Sequence, residues 1–139
     1  MYSRILAAND GSPGGLKALD TAIELARQVS AELHMVTVEE PPRFPASIDE
    51  VAEEKDEANH RFAPIIAAAR AQANDSGVKI ETYLVPGHVA EAIVGLIKNR
   101  EFDLLVVGFM GHSQLYERII GGTTDRLVRL APCAVLVVK

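Results

Sequence analysis

The chain has a single cysteine, Cys133, which excludes an internal disulfide and any metal cluster built from cysteines. Cys133 sits in an apolar run and is expected to be a buried, inert thiol. Basic residues are too few for a nucleic-acid surface: fourteen Lys and Arg against nineteen Asp and Glu leave a net charge of −5. No apolar run approaches the roughly 20 residues needed to cross a bilayer. The stretch Met1–Asp10 is too poor in apolar residues for a secretory leader, so a cytoplasmic protein is expected. Repeats, low-complexity tracts and linkers are absent, and 139 residues suit one domain spanning 1–139.

What is present suits a packed globule. The composition is 48% hydrophobic and 24% charged, and a chain of this size buries roughly two-thirds of its unfolded surface without a staple. The acids are concentrated. Eight of them lie between Glu39 and Glu57 with only two bases, Arg43 and Lys55. That segment reads as a solvated helix face. The remainder is nearly neutral, so an anionic ligand elsewhere meets no strong long-range repulsion.

Five short segments read as strands: Arg4–Ala8, Glu32–Val38, Lys79–Val85, Leu104–Val107 and Ala134–Val138. The last two are continuous apolar runs, as in strands covered on both faces. Helical patterns separate them. Leu16, Leu19, Ile23 and Ala26 form one buried stripe, with Ser12-Pro13 as N-cap and first helical residue. Ser47 and Glu50 form a capping box for a second helix, in which Pro64 predicts a kink or break. Asn74-Asp75-Ser76-Gly77 closes that helix. A third helix carries Val89, Ala92, Ile93, Leu96 and Ile97. A fourth begins near Thr123 and stops before Pro132. Alternation of strand and helix predicts an α/β fold: an open parallel five-stranded sheet with helices on both faces. The stretch Glu39–Ser47, with Pro41, Pro42 and Pro45, reads as a long surface loop. The final strand, at the end of the chain, is a candidate sheet edge open to a second copy.

Ligands of open parallel sheets bind beyond the carboxyl ends of the strands, where strand order reverses. Polar and glycine-rich segments fall there: Asn9-Asp10-Gly11-Ser12 after the first strand, Gly108-Phe109-Met110-Gly111-His112-Ser113 after the fourth, and Gly121-Gly122-Thr123-Thr124 opening the last helix. A helix N-terminus offers unpaired N–H groups and the positive end of its dipole, and glycine lets an anion approach them. Thr123 and Thr124 add hydroxyls, which suit helix capping and anion binding alike; Arg118 and Arg126 add charge nearby. Neither a Walker A motif nor a G-x-G-x-x-G after the first strand is present.

Gly108-x-x-Gly111, nine residues, then Gly121 and a polar stretch resembles the nucleotide signature of the universal stress proteins of the UspA type. The resemblance spans the chain, through Asp10-Gly11-Ser12, Val85-Pro86-Gly87 and Ala131-Pro132-Cys133. It implies a Rossmann-like fold similar to adenine nucleotide alpha hydrolases, homodimerisation, and ATP held between the first and fourth strands, with Mg2+ carried on its phosphates. By resemblance, Gly108, Gly111 and Gly121 line the phosphates and ribose. Asp10 lies beside the ribose or a phosphate-bound metal, Val38 holds adenine through its backbone, and Gly87 borders the sugar. Two positions depart from the family pattern. Gly122 stands where Ser or Thr is usual, which removes a hydroxyl but keeps the N–H, and Val89 stands where the third-strand loop often has proline.

Plainer roles compete at each position. Asp10 suits a turn cap, Gly108 and Gly111 suit turns, His34 suits a packed core position, and His60 a solvated one. His88 suits either a ligand border or simple exposure. A triad of His112 and Ser113 with Asp103 or Asp125 is disfavoured, because no G-x-S-x-G elbow is present. Three functions are therefore in play. The first is a cytoplasmic ATP-binding regulator in the stress response, acting on a protein partner that the residues do not name. The second is a slow ATP hydrolase or nucleotidyl transferase, for which no assembled base and charge set is visible. The third is a nucleotide-free dimeric interaction module.

Overall fold

A computed structural model of the chain describes residues 1–40, 48–110 and 120–139, with the backbone alone for 48–59. The elements alternate as β1 (Arg4–Ala8), α1 (Pro13–Val29), β2 (Glu32–Glu39), α2 (Ile48–Asp75), β3 (Ile80–Pro86), α3 (Val89–Arg100), β4 (Leu104–Gly108), α4 (Gly122–Leu130) and β5 (Ala134–Val138). The five strands form one sheet in the order β3-β2-β1-β4-β5, and every pairing is parallel. The predicted strands are recovered to within a residue at each end. The order reverses between β1 and β4, because successive crossovers from β1 run one way and those reaching β4 and β5 run the other.

Period-two alternation along the strands divides the core in two. Ile5, Ala7, Leu33, Met35, Leu104 and Val106 face α1 and α2, while Leu6, Val36, Leu105 and Val107 face α3 and α4. On α1 the buried stripe is Gly15, Ala18, Leu19, Ala22, Ile23 and Ala26. Leu16 is not part of it and is 47% exposed. A residue one position beyond Gly15 is turned by about 100°, onto the flank of the stripe.

The ends of α1 follow their sequence signals. Ser12 accepts a hydrogen bond from the Gly15 N–H, Pro13 opens the helix, and Ser30 closes it in the left-handed conformation. Helix α2 runs through Pro64 as a single element, so of the kink or break expected there the break does not occur. Pro64 and His60 are both exposed. Ser47 of the predicted capping box and the loop 41–47 lie outside the described residues. The Asn74–Gly77 turn forms as expected, with the Gly77 N–H donating to the Asn74 carbonyl at 3.0 Å.

The amino ends of the strands hold a polar and aromatic cluster. His34 is buried, with Nδ1 2.9 Å from the Tyr83 hydroxyl and Nε2 3.3 Å from Glu32. Its ring stacks on Tyr83 and meets the edge of Phe102. Asp103 anchors the N-terminal segment by accepting from the N–H groups of Ser3 and Arg4 at 2.9 and 3.0 Å. Burial acts to raise the Asp103 carboxyl. The Ser3 and Arg4 N–H donors and the Ser3 hydroxyl outweigh it and hold the group below its usual range. Asp103→Ala is therefore expected to cost about 1–2 kcal/mol at pH 7. A depressed carboxylate stabilises above its unfolded pKa and loses that contribution as pH falls through its folded pKa. Urea denaturation should thus show the wild-type advantage shrinking in acid below the usual carboxylate range.

Candidate functional site: a crevice between β1 and β4

At the β1 exit the chain folds back on itself. The Asn9 carboxamide oxygen accepts from the Gly11 N–H at 3.0 Å. Asp10 Oδ1 accepts from the Ser12 N–H at 2.9 Å and the Ser12 hydroxyl at 2.5 Å. Ser12 Oγ in turn accepts from the Gly15 N–H at 3.1 Å. These nested turns close the N-terminus of α1, where Pro13 has no N–H to offer. Asn9 is 2% exposed, and Thr37 on β2 donates to its carbonyl at 2.9 Å. Asp10 thus acts first as a turn residue.

The start of α1 lies against the β4 exit, backbone on backbone. A β-carbon on Gly108 would stand 2.6 Å from the Gly14 carbonyl carbon and oxygen, and one on Gly14 would overlap the Met110 carbonyl oxygen. Only two facing glycines permit this approach. Gly108, expected to line phosphate, is first of all a packing glycine.

The start of α4 differs. Gly121 is the N-cap and has no side chain to cap with; its own N–H donates to the Phe109 carbonyl at 2.9 Å. Thr124 is buried, and its hydroxyl donates to the Gly108 carbonyl at 2.7 Å. Neither threonine side chain caps the helix. The first helical bond returning to the cap is from the Asp125 N–H to the Gly121 carbonyl. The N–H groups of Gly122, Thr123 and Thr124 have no partner among the described residues. They form the orphan set that any uncapped helix start carries.

Between these elements lies a cavity of about 300 Å³. Its polar side is formed by Asp10, Ser12, Gly108, Gly121, Gly122 and Thr123; its apolar side by Val36, Val38, Val89, Ile93 and Leu127. Of the residues singled out in the sequence, Asp10, Val38, Gly108, Gly121, Gly122, Thr123 and Thr124 meet here. Gly111, His112, Ser113 and Arg118 lie outside the described residues. Gly87 is not on the wall: its φ of 134° turns the chain from β3 into α3, and its N–H donates to the Glu39 carbonyl. Asn9 falls in the segment that the sequence placed at this end of the sheet; Gly14, Gly15 and Glu40 were missed. Two consecutive glycines after Ser12-Pro13 were the available signal for the close helix approach.

Charge on the described wall comes from Asp10 and Glu40, with no Lys, Arg or His among them. Arg126 is committed to an ion pair with Glu91 on α3. Asp103 sits at the opposite end of the sheet and Asp125 pairs with Arg129, so neither orients a group in this crevice. His88 is the exposed N-cap residue of α3. Cys133 is half-buried rather than fully buried, and burial pushes its thiol up, which keeps it a poor nucleophile. No group of three His, Cys, Asp or Glu able to hold a metal occurs among the described residues. Among them, too, no helix is long and apolar enough to cross a membrane.

Fold and cavity together define an α/β protein with a crevice at the switch point of its parallel sheet. The sequence matches the profile of the Universal stress protein family over residues 1–139, and the chain belongs to that family. It is 31% identical to the universal stress protein YxiE of Bacillus subtilis, with both chains covered in full. In three dimensions it superposes on UspA from Lactobacillus plantarum with a TM-score of 0.87 at 23% identity, covering 99% of this chain and 98% of that one. A universal stress protein solved in complex with cAMP is 29% identical, with a TM-score of 0.78 and coverage of 99% and 97%.

The glycine contact at the crevice is open to test. Gly14→Ala is expected to destabilise the fold by about 1–3 kcal/mol, since a methyl group would strike backbone that cannot rotate away. Thermal denaturation followed by circular dichroism would show it as a lowered midpoint.

Proposed function

We propose that this protein is a cytoplasmic ATP-binding regulator that acts in the stress response by changing its partner surface with nucleotide occupancy. The observation that carries this reading is the set of open N–H groups at the start of α4, beside an apolar pocket at the β1–β4 switch point. Adenine lies against the apolar side and meets the Val38 backbone. The phosphates lie toward Gly108, Gly121, Gly122 and Thr123, with Gly111 added on the strength of the motif. Asp10, held in its turn, borders the ribose or a phosphate-bound metal. Gly87 contributes through the turn that delivers Val89.

Mg2+ suits this donor set. It keeps several waters and binds through one or two carboxylates plus substrate phosphates, rather than in a protein cage. Asp10 is the carboxylate positioned for that role, and the ion would offset the phosphate charge. The reading is one of binding rather than turnover: N–H and hydroxyl donors hold an anion without activating water, whereas phosphoryl transfer needs a positioned base and charge compensation.

A second nucleotide class has an observation of its own in favour. The described wall carries no cationic side chain to offset a triphosphate, and one relative at 29% identity was solved with cAMP. Calorimetric titration with ATP, with and without Mg2+, is expected to show saturable binding, and competition with cAMP ranks the two. Absence of heat and saturation at millimolar ligand would remove the nucleotide reading. Gly122→Ser sharpens the test. Among the described residues nothing lies within 4 Å of a β-carbon at Gly122, so the side chain fits, and one added donor is expected to tighten ATP binding about fivefold.

The partner copy is expected at β5, an edge strand with Leu136 37% exposed; Val128 and Leu130 are also exposed, on α4. Leu136→Lys should convert a dimer to monomers in sedimentation velocity. An unchanged sedimentation coefficient would place the interface elsewhere.

A further inference from the structure

We infer that Thr124 is a positioning residue for the nucleotide: through the Gly108 carbonyl, its hydroxyl sets the first turn of α4 so that the open N–H groups face the ligand. This rests on the nucleotide reading above and assigns a role that the glycine motif does not contain. Thr124 follows the motif glycine by three residues, is 5% exposed, and donates across sixteen residues of sequence to the strand exit at 2.7 Å. The two residues before it, Gly122 and Thr123, are exposed, and the cap residue has no side chain. Among the described residues, Thr124 is therefore the one side chain that ties the first turn to the sheet by a hydrogen bond.

The bond acts on both walls of the crevice. The Gly108 backbone is pressed against Gly14, so its carbonyl has little freedom to follow a helix that shifts. A donor fixed to that carbonyl transfers the rigidity of the α1–β4 contact to α4. It also occupies a carbonyl lone pair on the crevice wall that would otherwise repel a phosphate oxygen. The Gly121 N–H bond to Phe109 anchors the cap residue just before it. Thr124 adds a second point one turn further on, and two points fix the direction of the helix start.

Substitution separates this role from simple stability. Thr124→Val keeps the shape and loses the hydroxyl; Thr124→Ser keeps the hydroxyl. Ile23→Val, buried on α1 away from the crevice, serves as an equally mild core control. ATP affinity is measured by calorimetry well below each thermal midpoint, where every variant is folded. The expected result is about fivefold to tenfold weaker binding for Thr124→Val, from loss of one buried hydrogen bond. Thr124→Ser should stay within about twofold of wild type and Ile23→Val should be unchanged. Thr124→Val binding ATP as tightly as wild type overturns the positioning role and leaves the nucleotide reading intact. So does an equal loss in Thr124→Ser, which would assign the effect to packing. Wild-type protein that binds no ATP overturns both.

Discussion

The contact on which the crevice depends is the close approach of Gly14 to Gly108, where α1 meets the exit of β4 without a side chain between them. Any β-carbon at that point would lift α1 off the sheet and open the gap between β1 and β4. Because the two backbones touch, the switch point becomes a narrow crevice with walls of fixed spacing. Apolar side chains of β2, α3 and α4 then close its other side. Small residues here set geometry rather than flexibility.

With that spacing fixed, the two helix starts take different roles. At the N-terminus of α1 the side chains of Asn9, Asp10 and Ser12 accept from the N–H groups of Gly11, Ser12 and Gly15, and this end contributes form and the positive end of a dipole. The N-terminus of α4 has no side-chain cap among the described residues and is held from behind, through Thr124 and Phe109. Phe109 also donates its N–H to the Val138 carbonyl at 2.8 Å. The backbone of one residue therefore joins the start of α4 to the edge strand.

Much of this was legible in the residues. Strands appeared as short apolar runs, helices as 3.6-residue stripes, and turns as Asn-Asp-Ser-Gly or Ser-Pro. Leu16 and Pro64 show the limit of such reading. Leu16 satisfies the spacing but falls on the flank of α1 once Gly15 and Ala18 take the inside. Pro64 breaks a local rule, yet α2 continues through it on an exposed face. Both outcomes follow from what lies on each side of the helix, which spacing alone does not contain.

The amino-acid sequence by itself determined the class of fold, the position of the polar loops at the carboxyl ends of the strands, and the family, because these depend on periodicity and on local chemistry between near neighbours. Tertiary structure alone decided what each loop residue does. Gly108 faces Gly14 across ninety-four positions of chain, Thr124 bonds to a carbonyl sixteen residues away, and Gly87 turns the chain from β3 into α3 at a φ of 134°. An N–H or hydroxyl carries the same information in the sequence whether it is spent inside the protein or left open. Only the packing of distant segments distinguishes the two, since it alone supplies or withholds the partner.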